Sequence, residues 1–155
     1  MRIRVLAVGT RMPGWVTEGA QEYSKRLPRQ FRVEWIEVAA ASRQGLSPAK
    51  CRAMEAVAIR KKLAAHDRVI ALDVAGRTVS TEDIAAAVSP DGGSAADLAI
   101  LIGGPDGLDE KLLQDAHESW SLGRVTLPHP LVRVVLAEQL YRAWSINAGH
   151  PYHRA

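Results

Sequence analysis

The last quarter of the chain carries most of its candidate chemistry. Leu122-Gly123-Arg124-Val125-Thr126-Leu127-Pro128-His129-Pro130-Leu131-Val132-Arg133 leads into an apolar stretch, and the sequence closes with His150-Pro151-Tyr152-His153-Arg154-Ala155. Two imidazoles, a phenol and a guanidinium thus fall within five residues, where a folded chain commonly frays into a featureless tail. An imidazole takes up a proton near neutral pH, a guanidinium forks onto phosphate, and a tyrosine ring stacks on an unpaired nucleobase. Charge is equally lopsided. Residues 1–123 hold 16 Lys/Arg against 16 Asp/Glu, whereas residues 124–155 hold four arginines and the single acid Glu138, so the net charge of +3 sits at the C-terminal end. On charge alone, such an excess is ordinary surface. Beside histidines and aromatics it suits a polyanion such as RNA, because phosphate contacts supply most sequence-independent affinity.

A chain of 155 residues matches one domain spanning 1–155, large enough to bury roughly 70% of the surface its unfolded form exposes. The lone Cys51 forms neither an internal disulfide nor a cysteine metal cluster, and its place in a helical pattern makes it packing. No metal is expected: His150 and His153 are i, i+3 but lie beyond the helix-stopping Gly149 and beside Pro151, a poor zinc spacing. No cleavable leader follows Met1–Val8, and no stretch approaches the ~18 apolar residues of a membrane span. A cytoplasmic protein with no membrane partner is expected.

The elements that must position these groups alternate. Strands are expected at Ile3–Gly9, Phe31–Val38, Arg68–Val74, Asp97–Gly103 and Arg124–Leu127, and helices at Pro13–Leu27, Pro48–His66, Thr81–Val88, Asp109–Ser119 and Pro130–Ala148. Such alternation predicts an α/β domain with a mostly parallel sheet. Ser47-Pro48 reads as an N-cap followed by proline at the first helical position, Ser80 with Asp83 as a capping box, and Gly149 as a helix stop. Ala99-Ile100-Leu101-Ile102 is continuously apolar, the pattern of a central strand covered on both faces. Gly103-Gly104-Pro105-Asp106-Gly107 follows it, where ligands approach backbones in open α/β sheets. The spacing is not that of a dinucleotide fingerprint, and a tight turn without ligand reads equally well. The final helix is apolar nearly all round, which predicts burial on more than one side and a symmetric dimer interface. Glu138 and Arg142 interrupt it at i, i+4, the order of a solvated ion pair or of a charged pair lining a site.

Ala7-Val8-Gly9-Thr10, Leu101-Ile102-Gly103-Gly104-Pro105-Asp106-Gly107, Leu127-Pro128-His129-Pro130-Leu131-Val132-Arg133, Leu140-Tyr141-Arg142-Ala143-Trp144-Ser145-Ile146 and His150-Pro151-Tyr152-His153-Arg154 together closely resemble the ribosomal RNA large-subunit methyltransferase H family. That resemblance covers nearly the whole chain. It implies a SPOUT-type open parallel sheet flanked by helices, with a C-terminal trefoil knot that periodicity alone does not predict. It further implies a homodimer that uses S-adenosylmethionine to methylate N3 of a pseudouridine in 23S ribosomal RNA. The family's cofactor contacts fall here on Leu72, Gly103, Leu122, Gly123, Arg124, Val125, Thr126 and Leu127. Backbone groups there suit the polar parts of the cofactor, and Leu72, Leu122 and Leu127 offer apolar walls.

Methylation of an imide nitrogen requires its proton to leave, and His129, His153, Glu138 or a water held by one of them are candidate bases. Arg142, Tyr152, His153 and Arg154 are candidate RNA contacts, with Arg142 also a candidate for the catalytic set. Trp120 and Trp144 read as core or interface. Asp73 reads equally as a ribose contact or a turn cap. With no appended RNA-binding module and few cations, the chain is expected to act on the assembled ribosome, one subunit's cofactor meeting the other's tail. Alternatives are a ribose 2′-O transfer RNA methyltransferase of the same fold, or a non-catalytic RNA-binding module.

Overall fold

A computed structural model describes residues 1–92 and 97–154; Ala155, at the end of the C-terminal stretch, lies outside the described residues. In chain order the elements are β1 (Arg2–Val8), α1 (Gly14–Ser24), β2 (Arg32–Val38), α2 (Pro48–Arg60), β3 (Arg68–Thr78), α3 (Thr81–Ala87), β4 (Leu98–Ile102), α4 (Glu110–Asp115), β5 (Glu118–Ser121) and α5 (His129–Ala148), followed by a 3₁₀ turn at Pro151–Arg154. The sheet runs β2-β1-β4-β3-β5 with every pairing parallel. This is an α/β fold of the open parallel kind.

The continuous apolar run is the central strand, as its pattern requires: all five residues of β4 are buried. Leu98, Ile100 and Ile102 pack into one core with Ile84 of α3 and Leu136 and Leu140 of α5. Ala99 and Leu101 point the other way, into a core with Ile59 of α2 and Leu112 of α4. The period-two alternation of strand side chains therefore divides the apolar residues between two layers, each roofed by helices. Three helix boundaries follow the expected local chemistry. Ser47 accepts from the Lys50 N–H with Pro48 in the first turn, Ser80 and Asp83 form a reciprocal capping box, and Gly149 ends α5 in the left-handed region at φ 69°. Cys51 is buried packing.

The fifth strand departs from expectation. The helix expected over Asp109–Ser119 stops at Asp115, and the strand is Glu118–Ser121 rather than Arg124–Leu127. His117 is the cause: its backbone N–H donates to the Val69 carbonyl at 2.9 Å while its Nδ1 accepts from the Val69 N–H at 2.9 Å. This pair of hydrogen bonds to β3 draws the chain into the sheet, and Trp120 is then buried in the core. Gly123, at φ 144°, turns the chain away, so 124–127 is loop. The helix expected over Pro48–His66 likewise ends early, at Arg60, and β3 runs on to Thr78 past an irregularity between Leu72 and Arg77.

Helix α5 lies between α1 and α3 with the sheet beneath it. Leu136, Ala137, Leu140, Tyr141 and Ala143 are buried within the chain, while Leu131, Val132, Val134, Val135, Trp144 and Ile146 are only half-buried.

Candidate active site

The carboxyl ends of β3, β4 and β5 open onto a cavity of about 730 Å³, within the ~300–1,000 Å³ typical of small-molecule sites. Leu72, Gly103, Leu122, Gly123, Val125, Thr126 and Leu127 all line it. Arg124, expected among the cofactor contacts, is exposed and absent from the lining. Asp73, Trp120 and His129 also border it, so Trp120 is both core and floor. Two large apolar side chains at this cavity, Val74 and Val125, are 72% and 76% exposed.

The glycine turn forms one wall. Gly104 and Gly107 face each other as an isolated antiparallel bridge, the Gly107 N–H donating to the Gly104 carbonyl at 3.0 Å. A Cβ on Gly103 would lie 2.6 Å from the Gly107 carbonyl carbon and 2.8 Å from its oxygen. Only glycine lets the strand end pass under the turn. Asp106, at its tip, also lines the cavity.

His129 is the first residue of α5, reached from the end of β5 through the loop 122–128. Its Cε1 lies 3.6 Å from the position a Cβ on Gly9 would take, with an Arg133 Nη2 at 3.3 Å from the same point. Arg133, only 5% exposed, donates to the Gly9 and Val8 carbonyls at 2.8 and 3.3 Å and to Glu37 at 2.9 Å. It fixes the first turn of α5 to the end of β1. Burial, then the Arg133 and Arg43 guanidiniums, hold the His129 imidazole below its ordinary range, because each penalises a further positive charge. The imidazole is thereby favoured in its neutral form, at the cost of basicity. Its ring protons, followed by NMR, should titrate with a midpoint below 6.5. Stability should fall as the pH drops through 6.5, since the unfolded chain there takes a proton the folded one refuses.

The remaining candidates gather elsewhere. Arg142 donates through Nε and Nη2 to Glu138 Oε1 at 2.8 and 2.5 Å, and the Tyr152 hydroxyl donates to the same oxygen at 3.0 Å. The Arg142 guanidinium also sits 4.9 Å over the Tyr152 ring, and Tyr152 packs edge-on against Tyr141 at 4.6 Å. The tail is thus anchored on α5. Burial and the Glu138 bond push the Tyr152 phenol up to about 12. Because its folded value lies above the ordinary 10.0 of a tyrosine, Tyr152 stabilises the fold fully below pH 10 and loses that contribution as the pH rises toward 12. Tyr152→Phe should flatten the stability profile in this window, and at neutral pH should cost about 0.5–1.5 kcal/mol of unfolding free energy. Glu138, with two guanidinium bonds and a phenol on one oxygen and Gln139 on the other, is committed as an acceptor. His153 is half-buried with an unpartnered Nδ1, and Arg154 is exposed. None of these tail groups lines the cavity. Helix α5 separates the two groups: from His129 to Arg142, at about 1.5 Å per residue, is about 20 Å.

Arg133 and the Arg43–Glu55 pair lay outside the sequence-based candidates. Arg133 was legible only as part of a motif, and no local spacing connects Arg43 to Asp106. Among the described residues, no group of three or more His, Cys, Asp or Glu is placed to hold a metal, and no helix is long and apolar enough to cross a membrane.

Comparison with known proteins agrees over the full length. A family model described as "Predicted SPOUT methyltransferase" matches residues 1–153. Proteins named ribosomal RNA large subunit methyltransferase H are similar throughout. That of Chromohalobacter salexigens is 55% identical, the match covering 99% of this chain and all of that protein. Those of Hahella chejuensis and Saccharophagus degradans are each 48% identical over 99% of this chain, covering 99% and 100% of those proteins.

Proposed function

The chain belongs to the SPOUT methyltransferase family, and from that premise we propose that it transfers the methyl group of S-adenosylmethionine to N3 of a pseudouridine in 23S ribosomal RNA. The observation that carries this reading is the cavity at the carboxyl ends of β3, β4 and β5. Its volume suits the cofactor, its leucines and Trp120 offer apolar walls, and the side-chain-free Gly103–Gly104 segment leaves backbone groups open to approach. The cofactor-contact set is Leu72, Gly103, Leu122, Gly123, Val125, Thr126 and Leu127, with the segment beyond Leu122 threading the trefoil knot.

When bound, S-adenosylmethionine supplies a methyl carbon attached to a cationic sulfur. Transfer to N3 would require the target held in line with that methyl by the residues around the cavity, and a base of this chain to take the N3 proton. Most of the acceleration available here is positional, since a well-oriented pair gains roughly 7–11 kcal/mol over free reactants. His129, neutral and bordering the cavity, is placed to accept the proton. Arg142, Tyr152, His153 and Arg154 are RNA contacts, with Glu138 holding Arg142 and Tyr152 in position.

The tail of one chain lies away from its own cavity, so the complete site belongs to a homodimer in which the partner's tail meets the cavity. The exposed Val74 and Val125 at its edge are apolar surface of the kind an interface covers. Few cations face solvent in the C-terminal region: Arg133 is buried and Arg142 is paired. An acceptor presented by the assembled ribosome fits this better than free RNA.

The test is methyl transfer from labelled S-adenosylmethionine to ribosomes lacking the modification, beside ribosomes that also lack the target pseudouridine, followed by nucleoside analysis. Label in 3-methylpseudouridine, in the first set only, is the expected result. Label on a ribose 2′-oxygen of transfer RNA, or none anywhere, would overturn the reading.

A further inference from the structure

Arg43 sits in the loop between β2 and α2 and holds three partners from different segments. Its Nη1 donates to Glu55 Oε2 at 2.6 Å and to the Ala41 carbonyl at 2.7 Å, its Nε donates to Asp106 Oδ2 at 3.2 Å, and its Nη2 lies 3.0 Å from that same oxygen. Glu55, on α2, is 3% exposed and also accepts from the Ala41 N–H at 2.9 Å. The guanidinium therefore ties the buried face of α2 to the tip of the glycine turn. On the turn's other side, a Cβ on Gly104 would meet Val8 at 2.9 Å, with Arg43 Nη2 at 3.8 Å. The turn is held between β1 and this guanidinium.

Such an arrangement is costly. Burying an ion pair rarely adds stability over apolar packing, and buried polar atoms normally find partners. Four side-chain atoms of the described residues are buried with neither a hydrogen-bond nor an ion-pair partner, and three of them, Glu55 Oε1, His129 Nδ1 and Arg133 Nε, lie around this end of β1. Groups held at that cost beside a cavity wall are accounted for by position rather than by stability.

We infer that Arg43 is a positioning residue for the cofactor: with Glu55 as its buried counter-charge, it pins Asp106 and so sets the Gly104–Gly107 turn at the distance that S-adenosylmethionine requires. Asp106 lines the cavity with Oδ2 committed to Arg43, leaving Oδ1 for the cationic or hydroxyl groups of the ligand. The planar fork spreads its donors over acceptors on three segments, Glu55, Ala41 and Asp106, a reach that a single point-like ammonium matches less well.

This inference rests on the methyltransferase reading, and calorimetric titration with S-adenosylmethionine separates the two. Wild-type protein, Arg43→Met, Arg43→Lys and Asp106→Asn are compared, each with a thermal melt. Arg43→Met is expected to raise the Kd for S-adenosylmethionine by at least about tenfold, a fraction of what a 1 Å misplacement can cost. Arg43→Lys should fall between it and wild type, and in turnover the KM for the cofactor should rise far more than kcat falls. Should Arg43→Met fail to fold, Asp106→Asn decides, because that side chain is partly exposed and keeps its shape. Wild-type affinity in the folded variants, with only a lowered Tm, would make Arg43 merely structural and overturn the inference. Wild-type protein that binds no S-adenosylmethionine would overturn the methyltransferase reading and the inference with it.

Discussion

Gly103→Ala is expected to weaken S-adenosylmethionine binding by about a hundredfold while the sheet and both cores stay folded. The new methyl would stand 2.6 Å from the Gly107 carbonyl carbon and 2.9 Å from the Leu108 nitrogen, distances at which backbone atoms must move. The strand end cannot yield, since Ile102 is buried and β4 is paired on both sides. The turn moves instead, by close to an ångström, and a displacement of that size at a positioning element costs about 10²-fold. Gly107→Ala is the matched control. A Cβ there meets nothing within 4 Å, so only its φ of +80° resists, a strain of about 1 kcal/mol. Calorimetry with S-adenosylmethionine should therefore rank Gly103→Ala far below Gly107→Ala. Equal affinities would show that the cofactor does not contact this turn, and would move it out of the cavity.

That glycine turn was legible in the sequence because its cause is local. An apolar run covered on both faces has to be central, and glycines just beyond it have to mark a close backbone approach. The capping box at Ser80 and the stop at Gly149 were legible for the same reason. The fifth strand was not, because Glu118–Ser121 has only four residues and owes its place to His117 bonding Val69 across 48 positions. The leucines proposed as cofactor contacts came from resemblance rather than pattern, since Leu72 and Leu127 look like core in isolation. Arg43 and Asp106 lie 63 residues apart, and neither carries a motif that names the other. Long-range polar contacts of this kind leave no periodic trace, whereas apolar faces do. The charge excess of the C-terminal region was read correctly as a number but not as a surface: Arg133 spends its charge inside the fold, on Glu37 and the β1 carbonyls.

The separation of tail and cavity along α5 leads to the largest effect expected of any experiment on this protein. Gly103→Val, which destroys the turn, and Arg154→Ala combined with Tyr152→Phe, which strips the tail, should each reduce methyl transfer to ribosomes by about a hundredfold or more. In a two-fold dimer whose sites each draw the cavity from one chain and the tail from the other, mixing the two variants has a definite consequence. A heterodimer has one site with both lesions and one site with neither. Random reassortment makes half the dimers mixed, with one of their two sites intact, so co-refolded or co-expressed variants should recover about a quarter of wild-type activity. If each chain instead used its own tail, every site in every mixed dimer would carry a lesion and mixing would restore nothing. The own-tail arrangement requires Tyr152 to leave Glu138 and the Tyr141 ring and to cover most of the length of α5. Recovery on mixing is therefore the outcome expected of the proposed cross-subunit site.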